Sequence, residues 1–179
     1  MIERTKKKLR EAQFFLAKLQ RESQTRPPSE PEATEFYLSA FLSAARSVTF
    51  ALQYEEKNKY DTWFPGWLER RTSDERKLLD FLKIQRNYAQ KRGRAEVTSA
   101  WQYVPVTKAR WEQGAHPAYE VRWWGPPGTP PPEVGVLLYR FRGAGDDTDV
   151  TATCDRGLGL LTGLVQAFEE AHSTTGRPN

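Results

Sequence analysis

The hydrophobic period of this chain changes twice, and those changes constrain its fold more than any other feature. Up to Gly93 the apolar residues recur at helical spacing, as in Leu9, Ala12, Leu16 and Leu19. Between Ala100 and Arg142 they alternate, in "VTSAWQYVPVTKARW", "AYEVRWW" and "EVGVLLYRFRG". Helical spacing then returns from Cys154 to His172, through Leu158, Leu161, Val165 and Phe168. A side-chain period of 3.6 and a period of 2 cannot serve one element type. The pattern therefore predicts an α+β chain, mainly α. Four helices form an up-down bundle, and a small three-stranded antiparallel β-meander is inserted before the last helix. The expected layout is a single domain over 1–179, with a bundle part (1–95), a meander (98–143) and a returning helix (153–172).

Local signals set the expected boundaries. The first helix runs over 2–25 and ends at the breaker "TRPPSEPEAT". The second spans about Glu32 to Asn58, with Ser29 or Thr34 as its cap. Its inward face is Tyr37, Ala40, Phe41, Ala44, Val48, Ala51 and Leu52. A stripe of small residues (Ala40, Ser43, Ala44, Ser47, Ala51) offers a close helix approach. Pro65-Gly66 reads as a turn, with Trp63, Phe64 and Trp67 covering one end of the bundle. The third helix opens on "TSDE", where Thr72 and Glu75 make a capping box. Its inward residues are Leu78, Phe81, Leu82, Gln85 and Ala89, and Gly93 stops it. Strands are expected over Ala100–Trp111, Ala118–Trp124 and Val134–Arg142. Pro105 marks the first as an edge strand or a bulged one. Thr153 is the expected cap of the last helix.

The residue inventory excludes several chemistries. Among 179 residues there is one cysteine, Cys154, so no intrachain disulfide forms. With only His116 and His172 there is no zinc ligand set. Asp146, Asp147 and Asp149 lack calcium-loop spacing. No nucleophile elbow and no phosphate-cradling loop is present. Neither a metal nor a cofactor is expected. No apolar run is long enough for a signal peptide or a membrane span, so the expected location is the cytoplasm. Cys154 reads as a buried small hydrophobe, and both histidines as exposed.

The charge is unevenly spread. The chain carries a formal +4, yet Glu69–Arg94 alone holds nine Lys/Arg against four acids. Within it lies "LKIQRNYAQKRGR". Arginine grips a phosphate with two parallel hydrogen bonds, and lysine adds a point charge. Asn87 can donate to a phosphate or orient Arg86. Candidate ligand-binding residues are therefore Arg86, Asn87, Lys91 and Arg92. Arg46 joins them as a lone charge in an apolar helix, either snorkelling or aimed into a cleft. Acid–base chemistry at neutral pH is not expected from Lys91, because lysine titrates near 10.4.

Two segments, "FYLSAFLSAARSVTFALQYE" and "FLKIQRNYAQKRG", resemble the HEPN superfamily of helical-bundle domains, many of them bacterial. The family signature is an arginine, usually followed by Asn, Asp or His, and then a histidine four to six residues beyond. Arg86 and Asn87 match it. Lys91, Arg92 and Gly93 stand near the positions where the histidine belongs. Active members are metal-independent ribonucleases whose protomers pair with their arginines and histidines face to face. Others bind, assemble or accompany nucleotidyltransferase-like proteins. The resemblance implies a homodimer through the second- and third-helix faces, with Arg86 and Asn87 as remnants of a catalytic site. It also implies RNA or a nucleotide as ligand, or an antitoxin-like or nucleotidyltransferase-like protein partner, in a toxin–antitoxin or defence setting. Two alternatives stay open. One is a ribonuclease that uses Arg86 with Tyr88, Lys91 or a distant histidine as base. The other is a pure interaction module that docks through Trp111, Trp123 and Trp124.

Overall fold

The computed structural model describes residues 2–24, 32–105, 120–122, 133–142 and 149–173, with side chains left out at 24, 100–105, 120–122 and 133–137. The chain is mainly helical with a small antiparallel sheet. In order, the elements are α1 (Glu3–Gln24), α2 (Ala33–Glu55), α3 (Lys57–Glu69), α4 (Ser73–Arg92), β1 (Val97–Pro105), β2 (Glu120–Arg122), β3 (Glu133–Phe141) and α5 (Val150–Ser173). The core collects Leu16 and Leu19 of α1, Phe41, Leu42, Val48 and Leu52 of α2, and Leu161, Leu164 and Phe168 of α5.

Helix α1 is tied to α2 by a carboxylate. Glu55 accepts hydrogen bonds from the Arg4 and Thr5 backbone N–H groups, both at 2.8 Å, and from Thr5 Oγ1 at 2.7 Å. The first N–H groups of a helix have no partner within it, and Glu55 supplies one from the next helix. Burial pushes the Glu55 carboxyl up, but the three donors outweigh it and hold it below its ordinary value.

The local signals around α4 hold. Thr72 Oγ1 accepts from the Glu75 N–H at 3.2 Å, and Glu75 accepts in return from the Thr72 N–H at 2.7 Å. Gly93 ends the helix at φ 79°, in the left-handed region that glycine adopts without strain. Leu82, Gln85 and Ala89 are buried, and Gln85 accepts the Glu96 N–H at 3.0 Å, fixing the entry to β1.

Several expectations are corrected. Pro65-Gly66 is not a turn; both residues lie inside α3, which makes five helices among the described residues. An interior proline loses one backbone hydrogen bond. Here the loss is offset by aromatic packing on both sides: Tyr60 stacks on Phe64 at 4.8 Å, Phe64 on Trp67 at 5.9 Å, and Trp63 meets Phe168 edge-on at 5.3 Å. The sheet order is β1-β3-β2, so β3 is central and the strands do not follow one another as in a meander. Residue pairs run from Val97 with Phe141 to Pro105 with Glu133, and β1 ends at Pro105 on an edge. Helix α5 begins at Val150, ahead of Thr153. Asp149 is its cap, accepting from the Ala152 N–H at 2.7 Å. On α2, Tyr37, Ala40 and Ala51 are only half-buried, and Leu38, Leu42 and Ala45 fill the core in their place. His116, Trp111, Trp123, Trp124, Asp146, Asp147 and the breaker prolines lie outside the described residues or side chains.

Candidate functional site

A groove of about 520 Å³ opens between α2, α3 and α4. Its walls follow from helix geometry. Arg46, Thr49 and Gln53 fall at steps of three and four along α2 and share one side of it. Arg76, Leu79, Asp80 and Lys83 do the same along α4, and α3 contributes Tyr60, Asp61, Phe64 and Trp67. Leu164 of α5 closes the apolar floor.

The groove's charges are unequal in their commitments. Asp61 is held from two sides, by Lys57 Nζ at 2.5 Å and Gln53 Nε2 at 2.8 Å. The Lys57 bond is the main cause of its lowered pKa, with Gln53 next. Arg46 touches Thr49 Oγ1 at 3.3 Å and lies over the Phe50 ring at 4.2 Å, with no ion pair to a carboxylate among the described residues. Arg76 and Lys83 form no ion pair among the described residues. Among the described residues three cations thus line the groove, and Asp80 is an acid there not held by a cation. Burial pushes the Tyr60 hydroxyl up to about 12, against the opposing pull of the Arg46 guanidinium. Tyr60 is therefore a neutral phenol at physiological pH, a hydrogen-bond donor and not a base.

The sequence-predicted residues separate into two places. Arg46 belongs to the groove. Arg86 lies one helical step beyond Lys83 on α4, with Nη1 3.3 Å from Asn87 Oδ1. Its Nε is buried without a partner, and no described carboxylate pairs with it. Asn87 thus contacts the arginine it was expected to orient. Arg92 is committed elsewhere, to Glu96 at 2.7 Å and over the Tyr88 ring at 4.3 Å. Lys91 is exposed. Arg76, Lys83 and Tyr60 were not singled out as site residues by sequence. Their convergence depends on which helices adjoin α4, and only the helical spacing of 76, 79, 80 and 83 hinted at a shared side.

Other candidate chemistry recedes. His172 is half-buried, not exposed. It packs on Phe168 at 4.3 Å and on Trp63 at 6.3 Å, with Nδ1 2.8 Å from the Phe168 carbonyl oxygen. It is two helical turns beyond Leu164 on α5, while Leu161 adjoins Leu82 and Lys83. The last turns of α5 therefore lead away from Arg86. Cys154 is fully buried, and burial pushes its thiol far up, which makes it inert. A larger cavity of about 640 Å³ lies between α4 and α5. Its acids are occupied locally: Glu75 in the capping box, and Asp74 beside Lys77 at 3.6 Å. Among the described residues no cluster of His, Cys, Asp and Glu could hold a metal ion, and no helix is long and apolar enough to cross a membrane.

Comparisons with protein-family models, with curated proteins and with solved structures returned no match.

Proposed function

We propose that this chain binds a phosphate-bearing ligand, RNA or a nucleotide, in the groove between α2, α3 and α4, and does no chemistry on it. The observation that carries this reading is the set of three groove cations, Arg46, Arg76 and Lys83, none of which forms an ion pair among the described residues, with Asp80 the acid beside them. Arg46 is half-buried against the apolar wall, and Arg76 and Lys83 stand exposed beside it; a cleft lined by one sign of charge raises the local concentration of an anion. Tyr60 adds a neutral donor. Arg86, held by Asn87, extends the cationic side of α4 by one step.

The absence of catalysis rests on the residues present. A general base near neutral pH is needed for metal-free RNA cleavage; the described lining of the groove holds no histidine, and its carboxylates are Asp80 and Asp61, the latter held ionised by Lys57. In this proposal α1, α2, α4 and α5 are the long helices of a HEPN-like bundle. Arg86 and Asn87 then keep the phosphate-holding half of the family signature, and Lys91 stands where its histidine would be. A toxin–antitoxin or defence role in a bacterium, in the cytoplasm, goes with that reading.

Titrating single-stranded RNA at graded salt tests it. Each phosphate contact releases counterions, so the log affinity should fall against log salt with a slope of about −0.7 per contact. Three groove contacts give a slope of about −2. A flat response, or no binding at low salt, contradicts the RNA form of the proposal. The Lys91→His variant tests the emptied motif: metal-free cleavage gained by that variant and lost again with Arg86→Ala supports the family reading.

A further inference from the structure

The outward side of α2 carries a second signal, which adjoins the groove at Arg46 and calls on no ligand. Phe36, Ala40, Ser43, Ser47, Phe50 and Tyr54 follow one another at steps of four and three, the spacing of a seam between two paired helices. None is charged, although a helix face turned to water ordinarily carries charge. Phe36 is 60% exposed, Phe50 49% and Tyr54 75%, while Ala40, Ser43 and Ser47 lie half-buried between them. The charged groups known to touch the stripe sit on its rings from the side: Arg46 over Phe50 at 4.2 Å and Arg4 over Tyr54 at 5.2 Å. An apolar strip with cations at its margins has the layout of an interface core and rim.

The order of sizes along the stripe says what covers it. Phe36 and Tyr54 are equidistant from the level of Ala45, as are Ala40 and Phe50, and Ser43 and Ser47. A second copy of α2, laid antiparallel across a two-fold axis at that level, therefore meets Phe36 with its Tyr54. Phe50 falls on Ala40 of the second copy, a large side chain against a small one, and the two serine levels cross at the axis. A two-fold interface must be self-complementary; the Phe50–Ala40 level meets that by size, and the Phe36–Tyr54 level pairs ring with ring.

The area is sufficient for a modest dimer. A buried aromatic side chain covers roughly 150–250 Å², so the exposed parts of the three rings amount to roughly 350 Å² per protomer. With the small residues between them the total is about 1,000 Å² over both protomers, the lower bound for a specific interface.

We infer that this face of α2 is the interface of an antiparallel homodimer, with Phe50 of each copy seated on Ala40 of the other. It differs from the interface that the family resemblance implied, because α4 takes no part.

Sedimentation velocity of the full chain over a range of concentrations tests the inference. The wild type should form a dimer in the micromolar range. Phe50→Glu and Ala40→Lys should each weaken it by about tenfold or more, since the first removes the ring seated on Ala40 and the second puts a charge beneath that ring. Combining the two substitutions should recover most of the loss, because the register brings the two introduced charges together across the axis. Both positions of change lie on the outward side, and an unchanged far-ultraviolet circular dichroism spectrum confirms that the variants are folded. A wild type that stays monomeric at high concentration overturns the inference. A dimer indifferent to Phe50→Glu, or a double variant no better than the singles, overturns it as well. RNA binding by a monomer would leave the groove proposal standing while removing this one.

Discussion

At the scale of single residues, the informative groups are those whose partners lie far away in sequence. Glu55 is the clearest. Nothing around position 55 announces that it will accept three hydrogen bonds from the start of α1, fifty residues earlier. Its folded pKa is lowered, so its contribution is complete above the ordinary value near 4.5 and disappears as pH falls through the folded value. Glu55→Gln should therefore destabilise the protein by about 1–2 kcal/mol at pH 7. The gap between variant and wild type should narrow as pH falls below the ordinary value near 4.5 and close once Glu55 is protonated in the folded protein. Urea unfolding of both at several pH values measures this; a gap independent of pH would show that the charge contributes nothing. Cys154 gives a second residue-level expectation. Its burial predicts that a thiol reagent modifies it only after denaturant is added. Modification of the native protein at the rate of an exposed thiol would contradict the packing described for α5.

At the scale of elements, local signals were readable and packing-dependent ones were not. The Thr72–Glu75 box and Gly93 bound α4 where the sequence places them, because both act within one turn of the backbone. Pro65 misleads for the opposite reason. Its local preference for a turn yields to the stacking of Tyr60, Phe64 and Trp67 and to the contact of Trp63 with α5. Asp149 misleads more mildly: among three neighbouring acids it looks like part of a loop, yet it caps α5. Two tests belong at this scale. Thr72→Ala should cost about 1 kcal/mol by removing the cap of α4, and a loss near zero in thermal unfolding would contradict the box. Gly157 marks a close approach of α5 to α4, since a Cβ there would stand 2.2 Å from Leu82 Cδ1. Gly157→Ala should cost roughly 1–3 kcal/mol, and Leu82→Ala about 2–5 kcal/mol. The two together should cost clearly less than their sum, because the small residue makes room for the added methyl. Strict additivity would mean that the helices do not touch there.

At the scale of the whole molecule, the period changes along the chain were enough to predict a mainly helical body with a small antiparallel sheet. Strand order was not legible, because alternation reveals a strand and not its neighbour. Half of the candidate site was visible in the sequence. Arg46 stood out as one charge in an apolar helix, and Arg86-Asn87 as a family-like pair. Arg76, Lys83 and Tyr60 did not, because they become neighbours of Arg46 only when α3 and α4 close on α2. The central claim is that these groove cations bind phosphate. Its most direct test compares single-stranded RNA binding at low salt by three proteins: the wild type, the double variant Arg46→Ala/Lys83→Ala, and a control, Lys59→Ala/Lys77→Ala. The control removes the same charge from exposed positions outside the groove. At about 1 kcal/mol or more for each lost phosphate contact, the groove variant should bind at least tenfold more weakly and with a shallower salt slope, and the control should match the wild type. Equal losses in the two double variants would contradict the claim, because affinity would then follow net charge and not the groove.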